Sequence, residues 1–382
     1  MKIVTWQSVL TEHQVHTLRA LQTIVGEPIE FVLGVRELAE RRDQGWKQLT
    51  LDELSIHELP KHGWWQEAGR ILGRFPKAVH LFCGLWADRR FFSIMLRAQM
   101  AGISTSLMSE PFADSSVSYF GGRSTLSDRL KSLSRPLAYS IGGRLVAPRN
   151  SSLFAISSKA VDQFRAIGFA PDRVFPFGYF VPPLQIETRQ EKPRVGSQAL
   201  RLVFVGSLIE RKGLPVLMNA VELARKAGVE VAVDVYGSGD RSSYEPVPLG
   251  VSFQGNIEFG KAQQVIGDYD FLVLPSLHDG WGVVVNEALL QGVPVLLSDA
   301  VGARTLVEVS GAGIVFASGS SDQLSRLFVE LAKAPEKIEA YRLAARSFRA
   351  ALLPETAARY LYECLLYASG ECSVRPRAPW YM

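Results

Sequence analysis

The chain has 382 residues, 47% of them hydrophobic, and 42 Lys and Arg against 38 Asp and Glu give a formal net charge of +4 at pH 7. That length and apolar content suit two cores, and hence two domains, while no apolar run reaches the ~18 residues of a helical membrane span. Three cysteines, Cys83, Cys364 and Cys372, lack metal-ligand spacing, and the start, MKIVTWQSVL, reads as a strand rather than a signal peptide, so a reducing cytosol is expected.

The N-terminal half alternates strands and helices. Residues 2–6, 29–33, 78–82, 104–108 and 152–156 read as strands, and 13–23, 89–100 and 159–167 carry apolar residues at helical spacing. The loop after the first strand, Gln7-Ser8-Val9-Leu10-Thr11-Glu12, holds no glycine. Residues 1–190 contain 23 Lys and Arg against 17 Asp and Glu, whereas the remainder contains 19 against 21. The excess gathers in 123–149, where Arg123, Arg129, Lys131, Arg135, Arg144 and Arg149 face one acid, Asp128. Leu126, Leu130, Leu133, Leu137 and Ile141 run through that segment at helical spacing, and Pro136 should kink or break the helix. A basic amphipathic helix suits an anionic membrane surface; the same leucines would also suit a domain core. No aromatic and basic interleaving accompanies the charge, so nucleic acid is not an expected partner. Residues 185–198, QIETRQEKPRVGSQ, are polar with a proline and a glycine, as in an interdomain linker.

The C-terminal half keeps the same rhythm. Residues 201–228 read as a strand, a loop with Gly206 and Ser207, and a helix bearing Leu214, Leu217, Val221 and Ala224. Arg211 and Lys212 precede Gly213 at the helix start, where bases can hold a diphosphate, or merely form a solvated turn. Strand 231–236 ends in Gly237-Ser238-Gly239, and strand 251–253 in Gln254-Gly255-Asn256. The densest segment is 271–302: a buried strand, a loop with Asp279, Gly280, Trp281 and Gly282, a helix from 283 to 291 carrying Glu287, a capping Gly292 and a second strand. Loop glycines admit a ligand close to the backbone, and a helix N-terminus favours an anion. Two carboxylates beside such a turn suit a sugar joined to a phosphate. Alternating strands and helices imply parallel sheets covered on both faces, with ligands beyond the carboxyl ends of the strands.

Other patterns carry less. Asp268-Tyr269-Asp270 imitates a metal-binding Asp-x-Asp but sits where a helix meets a strand. His13 and His16 lack a third ligand, and His278 reads as polar surface.

Asp279, Gly280-Trp281-Gly282 and Glu287 resemble the signature of retaining family-4 glycosyltransferases with the GT-B fold, an acid followed by Gly-aromatic-Gly and, after seven intervening residues, a second Glu. Asp279 departs from the usual Glu and reaches about 1.5 Å less far. Lys212 matches the basic residue before a glycine in the family's phosphate loop, while Ser207 stands where a first base is expected. The resemblance implies two Rossmann-like domains, residues 1–183 and 201–350, with parallel sheets facing an interdomain cleft, a linker over 184–200, and a C-terminal helix within 351–382 returning to the first domain. It implies a hexosyltransferase type of enzyme using a nucleotide sugar as substrate, with no metal and no further cofactor, and a glycan or lipid-linked saccharide acceptor in bacterial surface polysaccharide assembly. By the same resemblance Lys212, with Arg211, holds the diphosphate; Gly206, Ser207, Gly237, Gln254 and Asn256 surround the nucleotide; Glu287 binds ribose and Asp279 the donor sugar. Glu110, near the place of a family histidine, becomes an acceptor-side candidate. The alternatives are a non-catalytic sugar-nucleotide binding protein and a sugar-nucleotide epimerase of the same fold.

Overall fold

Short apolar strands alternate with amphipathic helices throughout the computed structural model, which describes residues 1–35, 54–112, 126–184, 199–257 and 261–382. These residues divide into two units. The first takes 1–35, 54–112, 126–181 and 354–381, and the second takes the described residues between 182 and 353.

In the first unit the order is β1 (Ile3–Gln7), α1 (Glu12–Val25), β2 (Glu30–Leu33), β3 (Ser55–Glu58), α2 (Trp64–Arg74), β4 (Val79–Cys83), α3 (Arg89–Met100), β5 (Thr105–Ser109), α4 (Leu126–Val146), β6 (Asn150–Ile156), α5 (Ser158–Ala166) and β7 (Val174–Phe177). The seven strands are parallel, in the order β3-β2-β1-β4-β5-β6-β7. The winding reverses between β1 and β4, which is where an open parallel sheet leaves a crevice at its carboxyl end. All five side chains of β1 are buried, as a central strand covered on both faces requires. Trp6 stacks on Phe82 at 5.4 Å and donates its indole N–H to His80 Nδ1 at 3.0 Å. Burial disfavours the imidazolium of His80 and lowers its pKa.

The second unit contains β8 (Leu200–Val205), α6 (Leu214–Lys226), β9 (Val231–Tyr236), β10 (Val251–Gly255), α7 (Ala262–Ile266), β11 (Phe271–Leu274), α8 (Val283–Leu290), β12 (Val295–Ser298), α9 (Arg304–Ser310), β13 (Gly313–Phe316), α10 (Ser321–Lys333) and α11 (Pro335–Phe348). Its six strands are parallel too, in the order β10-β9-β8-β11-β12-β13, with the reversal between β8 and β11. Phe204, Phe271, Phe316 and Phe328 centre its core. The last helix, α12 (Pro354–Ser369), belongs to the first unit, where it packs along α1. Trp380 beyond it is fully buried, 4.4 Å from the ring of Phe180 and 5.3 Å from that of Tyr360.

Two expectations change. Helix α4 runs unbroken past Pro136, so the proline removes a helical hydrogen bond without ending the helix. Four of its apolar residues stay out of the core: Leu133, Leu137, Ile141 and Leu145 are 77%, 64%, 55% and 52% exposed. The expected linker residues 185–198 and Arg123 lie outside the described residues, as do the side chains of Leu126, Arg129, Leu130 and Lys131.

Candidate functional site

The loops that leave the carboxyl ends of β8, β9, β10 and β11 are laced together by backbone. Gly206 N–H donates to Tyr236 O at 2.9 Å, and Gly237 N–H donates to Gly255 O at 2.8 Å. A Cβ on Gly237 would fall 1.9 Å from the carbonyl oxygen of Gly206, so only glycine allows that approach. Gly213, at φ +68°, likewise would put a Cβ 2.0 Å from Pro275 O, seating the start of α6 against the end of β11. Ser207 and Gly206 are both half-buried at this rim.

This contact brings two sequence-distant segments together at the β8–β11 reversal. The carbonyl of Arg211 accepts from Leu277 N–H at 2.7 Å, and Arg211 Nη1 donates to His278 O at 3.3 Å. Lys212 Nζ lies 2.5 Å from Asp279 Oδ2, with the two side chains only 14% and 10% exposed. Burial alone would raise the pKa of Asp279, but Lys212 and then Arg211 outweigh it and hold the carboxyl below its ordinary value. Asp279 N–H donates to Ala300 O at 3.1 Å and its carbonyl accepts from Gly302 N–H at 3.0 Å, which fixes the loop between β11 and the segment after β12. His278, expected at the polar surface, is buried at 6% exposure.

Gly282, at φ +92°, opens α8, and no side chain caps that helix. Its first N–H groups and dipole therefore face the loop that holds Gly280 and Asp279. Trp281 is turned inward: it is 2% exposed and its indole N–H donates to Asn286 Oδ1 at 2.9 Å. The position can offer a ligand its backbone but not its ring. Glu287 is half-buried on α8. Gln254 near the end of β10 and Asn256 just beyond it are exposed, with the Gln254 amide donating to Asp234 Oδ1 at 2.7 Å.

Glu110 stands in the first unit, after β5, where Tyr179 O–H donates to its Oε1 at 2.8 Å. Asp270 of the Asp-Tyr-Asp sequence is structural: it accepts from Arg201 N–H at 2.8 Å and from Arg342 at 3.4 Å. Among the described residues no group of three or more His, Cys, Asp or Glu is placed to hold a metal ion. Asn286 and Tyr179 escaped the sequence reading. The signal for Asn286 was a lone amide inside the helix Val283–Leu290, one position before Glu287.

Residues 199–334 match the family described as "Glycosyl transferases group 1". A phosphatidyl-myo-inositol mannosyltransferase of Propionibacterium freudenreichii is 27% identical over 58% of this chain and 59% of its own length. The amylovoran biosynthesis glycosyltransferase AmsK of Erwinia amylovora is 25% identical over 39% of this chain and 40% of its own. The chain thus spans about half the length of the curated relatives it matches. Among solved structures, Alr3699/HepE of Anabaena, crystallised with UDP, superposes with a TM-score of 0.71 at 14% identity, over 96% of this chain and 99% of that one. The matched residues run from β8 to the end of α10, and hold Lys212, Asp279 and Glu287 together with both reversal strands. The second unit therefore belongs to the group 1 glycosyltransferases, in a chain with the two-sheet GT-B fold.

Proposed function

We propose that the chain is a retaining glycosyltransferase that moves a sugar from a nucleoside diphosphate sugar to a glycan or lipid-linked saccharide in bacterial surface polysaccharide assembly. The observation that carries this is the Lys212–Asp279 pair at the β8–β11 reversal, beside the uncapped N-terminus of α8. An anion entering there meets an ammonium, a nearby guanidinium and a helix dipole. Lys212 turns from Asp279 to the diphosphate, and Asp279 is released to the donor-sugar hydroxyls. Glu287 takes the ribose. Sugar transfer on the face the leaving group departs from requires no protein nucleophile: the departing phosphate oxygen accepts the acceptor's proton as the new glycosidic bond forms. The rate enhancement then comes from positioning and leaving-group electrostatics. The names of the relatives, one a mannosyltransferase and one an amylovoran glycosyltransferase, support the class, and the UDP in HepE supports the donor.

The exposed apolar stripe of α4 supports a place at an anionic membrane, with Arg144 and Arg149 exposed nearby and Arg135 half-buried. No described helix is long and apolar enough to cross a bilayer. The test is incubation with a panel of nucleotide sugars and lipid-linked acceptors, with the product anomer read by NMR. Transfer with retained configuration supports the proposal. Inverted product, free sugar-nucleotide interconversion without acceptor, or binding without turnover each replaces it, the last two by the epimerase and the binding-protein alternatives.

A further inference from the structure

Helix α8 begins without a side-chain cap, yet its start is fixed by another device. Trp281 precedes the capping Gly282, and Asn286 is the fourth residue of the helix. At those two positions a pair of packed side chains staples an entering chain to the first turn and sets its angle of entry. Here the staple is polar: the Trp281 indole N–H donates to Asn286 Oδ1 at 2.9 Å. Trp281 is 2% exposed and Asn286 0%, so neither side chain reaches a ligand, and the pair acts through the backbone it holds. The two residues require each other. A buried indole N–H needs an acceptor, and Asn286 supplies one although its own Nδ2 finds no partner, which costs the fold stability. Two apolar side chains would close the same turn without that cost.

The staple closes the helix side of a loop that backbone bonds close on the other side. The carbonyl of Asp279 accepts from Gly302 N–H at 3.0 Å, and that of Trp281 from Ala303 N–H at 2.8 Å. Between them, at Gly282, space is short. A Cβ there would fall 3.1 Å from Leu274 Cδ2, 3.1 Å from Val301 Cγ1 and 3.7 Å from Asp279 Oδ2. The start of α8 therefore lies against the carboxylate that partners Lys212. Glu287 follows Asn286 directly, so the bond that holds Asn286 inward also fixes the direction in which Glu287 leaves the helix. Without the acceptor the indole N–H would stay buried and unpaired, and the turn would have to open to find it a partner.

We propose that Trp281 and Asn286 are positioning residues: their buried hydrogen bond staples the glycine turn to α8 and so aims the first N–H groups of the helix, and Glu287, at a nucleoside diphosphate. The diphosphate rests on the transferase reading; the staple does not. The experiment compares the full chain with Asn286→Leu, which strands the indole N–H, and with the double variant Trp281→Phe, Asn286→Leu, which removes both polar groups at once. Calorimetry measures UDP and uridine, or GDP and ADP with their nucleosides where the wild type prefers those. Hydrogen exchange without ligand follows the amides of residues 282–285, and exchange in β1 to β7 confirms that each variant folds. Asn286→Leu should speed exchange at 282–285 and weaken the nucleoside diphosphate about tenfold, the scale of a helix-dipole interaction in a partly buried site. Nucleoside affinity should stay unchanged, because the nucleoside lacks the group that the helix start would hold. The double variant should recover most of both losses. A merely structural pair would lower the melting temperature of Asn286→Leu and leave the affinity of the folded protein for the diphosphate intact, and that result would overturn the proposal. So would equal losses for diphosphate and nucleoside, or a double variant no better than the single one. If the wild type binds no nucleoside diphosphate, the transferase reading falls, and exchange alone decides the staple: faster exchange at 282–285 in Asn286→Leu, reversed in the double variant, upholds it, and unchanged exchange removes it.

Discussion

At the scale of single residues, the proposed donor side holds an internal ion pair. Lys212 and Asp279 neutralise each other across 2.5 Å while both are largely buried. The carboxyl of Asp279 stays below its ordinary pKa in the folded state. Its contribution to stability is therefore present above the usual carboxylate pKa of about 4 and is lost as the pH falls through the folded value. Lys212→Ala strands the carboxylate. The variant should lose about 3 kcal/mol at pH 7, the low end for breaking a buried pair. With the lysine gone, burial is opposed only by the charges of Arg211 and His278, so the pKa of Asp279 should rise and that penalty should shrink as acid neutralises the group. Urea unfolding at pH 7 and pH 5 checks this, and a penalty independent of pH would remove the pair from the account. Calorimetry on the same variant should show at least a tenfold loss of affinity for a nucleoside diphosphate, with nucleoside affinity nearly unchanged. The spacing of Asp279, Gly282 and Glu287 made this region legible in sequence, because a buried strand, a glycine turn and a helix leave few other arrangements. The partnership with Lys212 was not legible, since 67 residues separate the two and they meet through the close approach of Gly213 to Pro275 and the hydrogen bonds of Arg211 to residues 277 and 278.

At the scale of elements, periodicity shows that a face is apolar but not what covers it. Leu133, Leu137 and Ile141 have the spacing of a core helix, yet α4 leaves them exposed and instead buries Gly142, Gly143 and Val146. Gly143 is where a Cβ would meet Ile167 at 2.5 Å, so the close packing is made by the residues with the smallest side chains. Strand β3 was missed for a related reason: Ser55–Glu58 is a four-residue edge strand with three half-buried side chains and one exposed, which leaves little pattern to read. The helix α2 begins on Gly63 in a left-handed conformation, without the side-chain cap that marks a start. If α4 meets a membrane, two terms should separate in vesicle co-sedimentation. Replacing Arg135, Arg144 and Arg149 with Gln removes about 1 kcal/mol for each base near the surface, and that loss should fade as salt rises. Leu137→Gln with Ile141→Gln removes about 1.5–3 kcal/mol per side chain at any salt concentration. Wild-type protein that stays in the supernatant with anionic vesicles at low salt would dispose of the membrane reading.

At the scale of the whole molecule, two parallel sheets each reverse their winding once, and the reversal in the second unit gathers Lys212, Asp279 and the start of α8. Alternation of strand and helix made that architecture readable from the first residues to the last, since a parallel sheet covered on both faces demands apolar strands and helical crossovers. Only the family resemblance assigned the helix within 351–382 to the first domain; composition and periodicity could not, because burial of Trp380 depends on Phe177 and Phe180 about two hundred positions away. Trp380→Ala should destabilise the first unit by about 3–5 kcal/mol. Hydrogen exchange should show the loss in β1 and β4 to β7, while nucleoside diphosphate affinity, proposed for the second unit, should be unchanged; an equal loss of protection in β8 to β13 would contradict this. The same feature sets an order of birth. On a ribosome adding roughly 5–20 residues each second, the second unit has all its parts once residue 353 emerges. The first unit, begun earlier, must wait for α12 and Trp380, and until then Val15, Leu18 and Leu21 of α1 lack the helix that packs along it. The half of the protein made first is the half completed last, and its uncovered helix is where a chaperone would find the nascent chain.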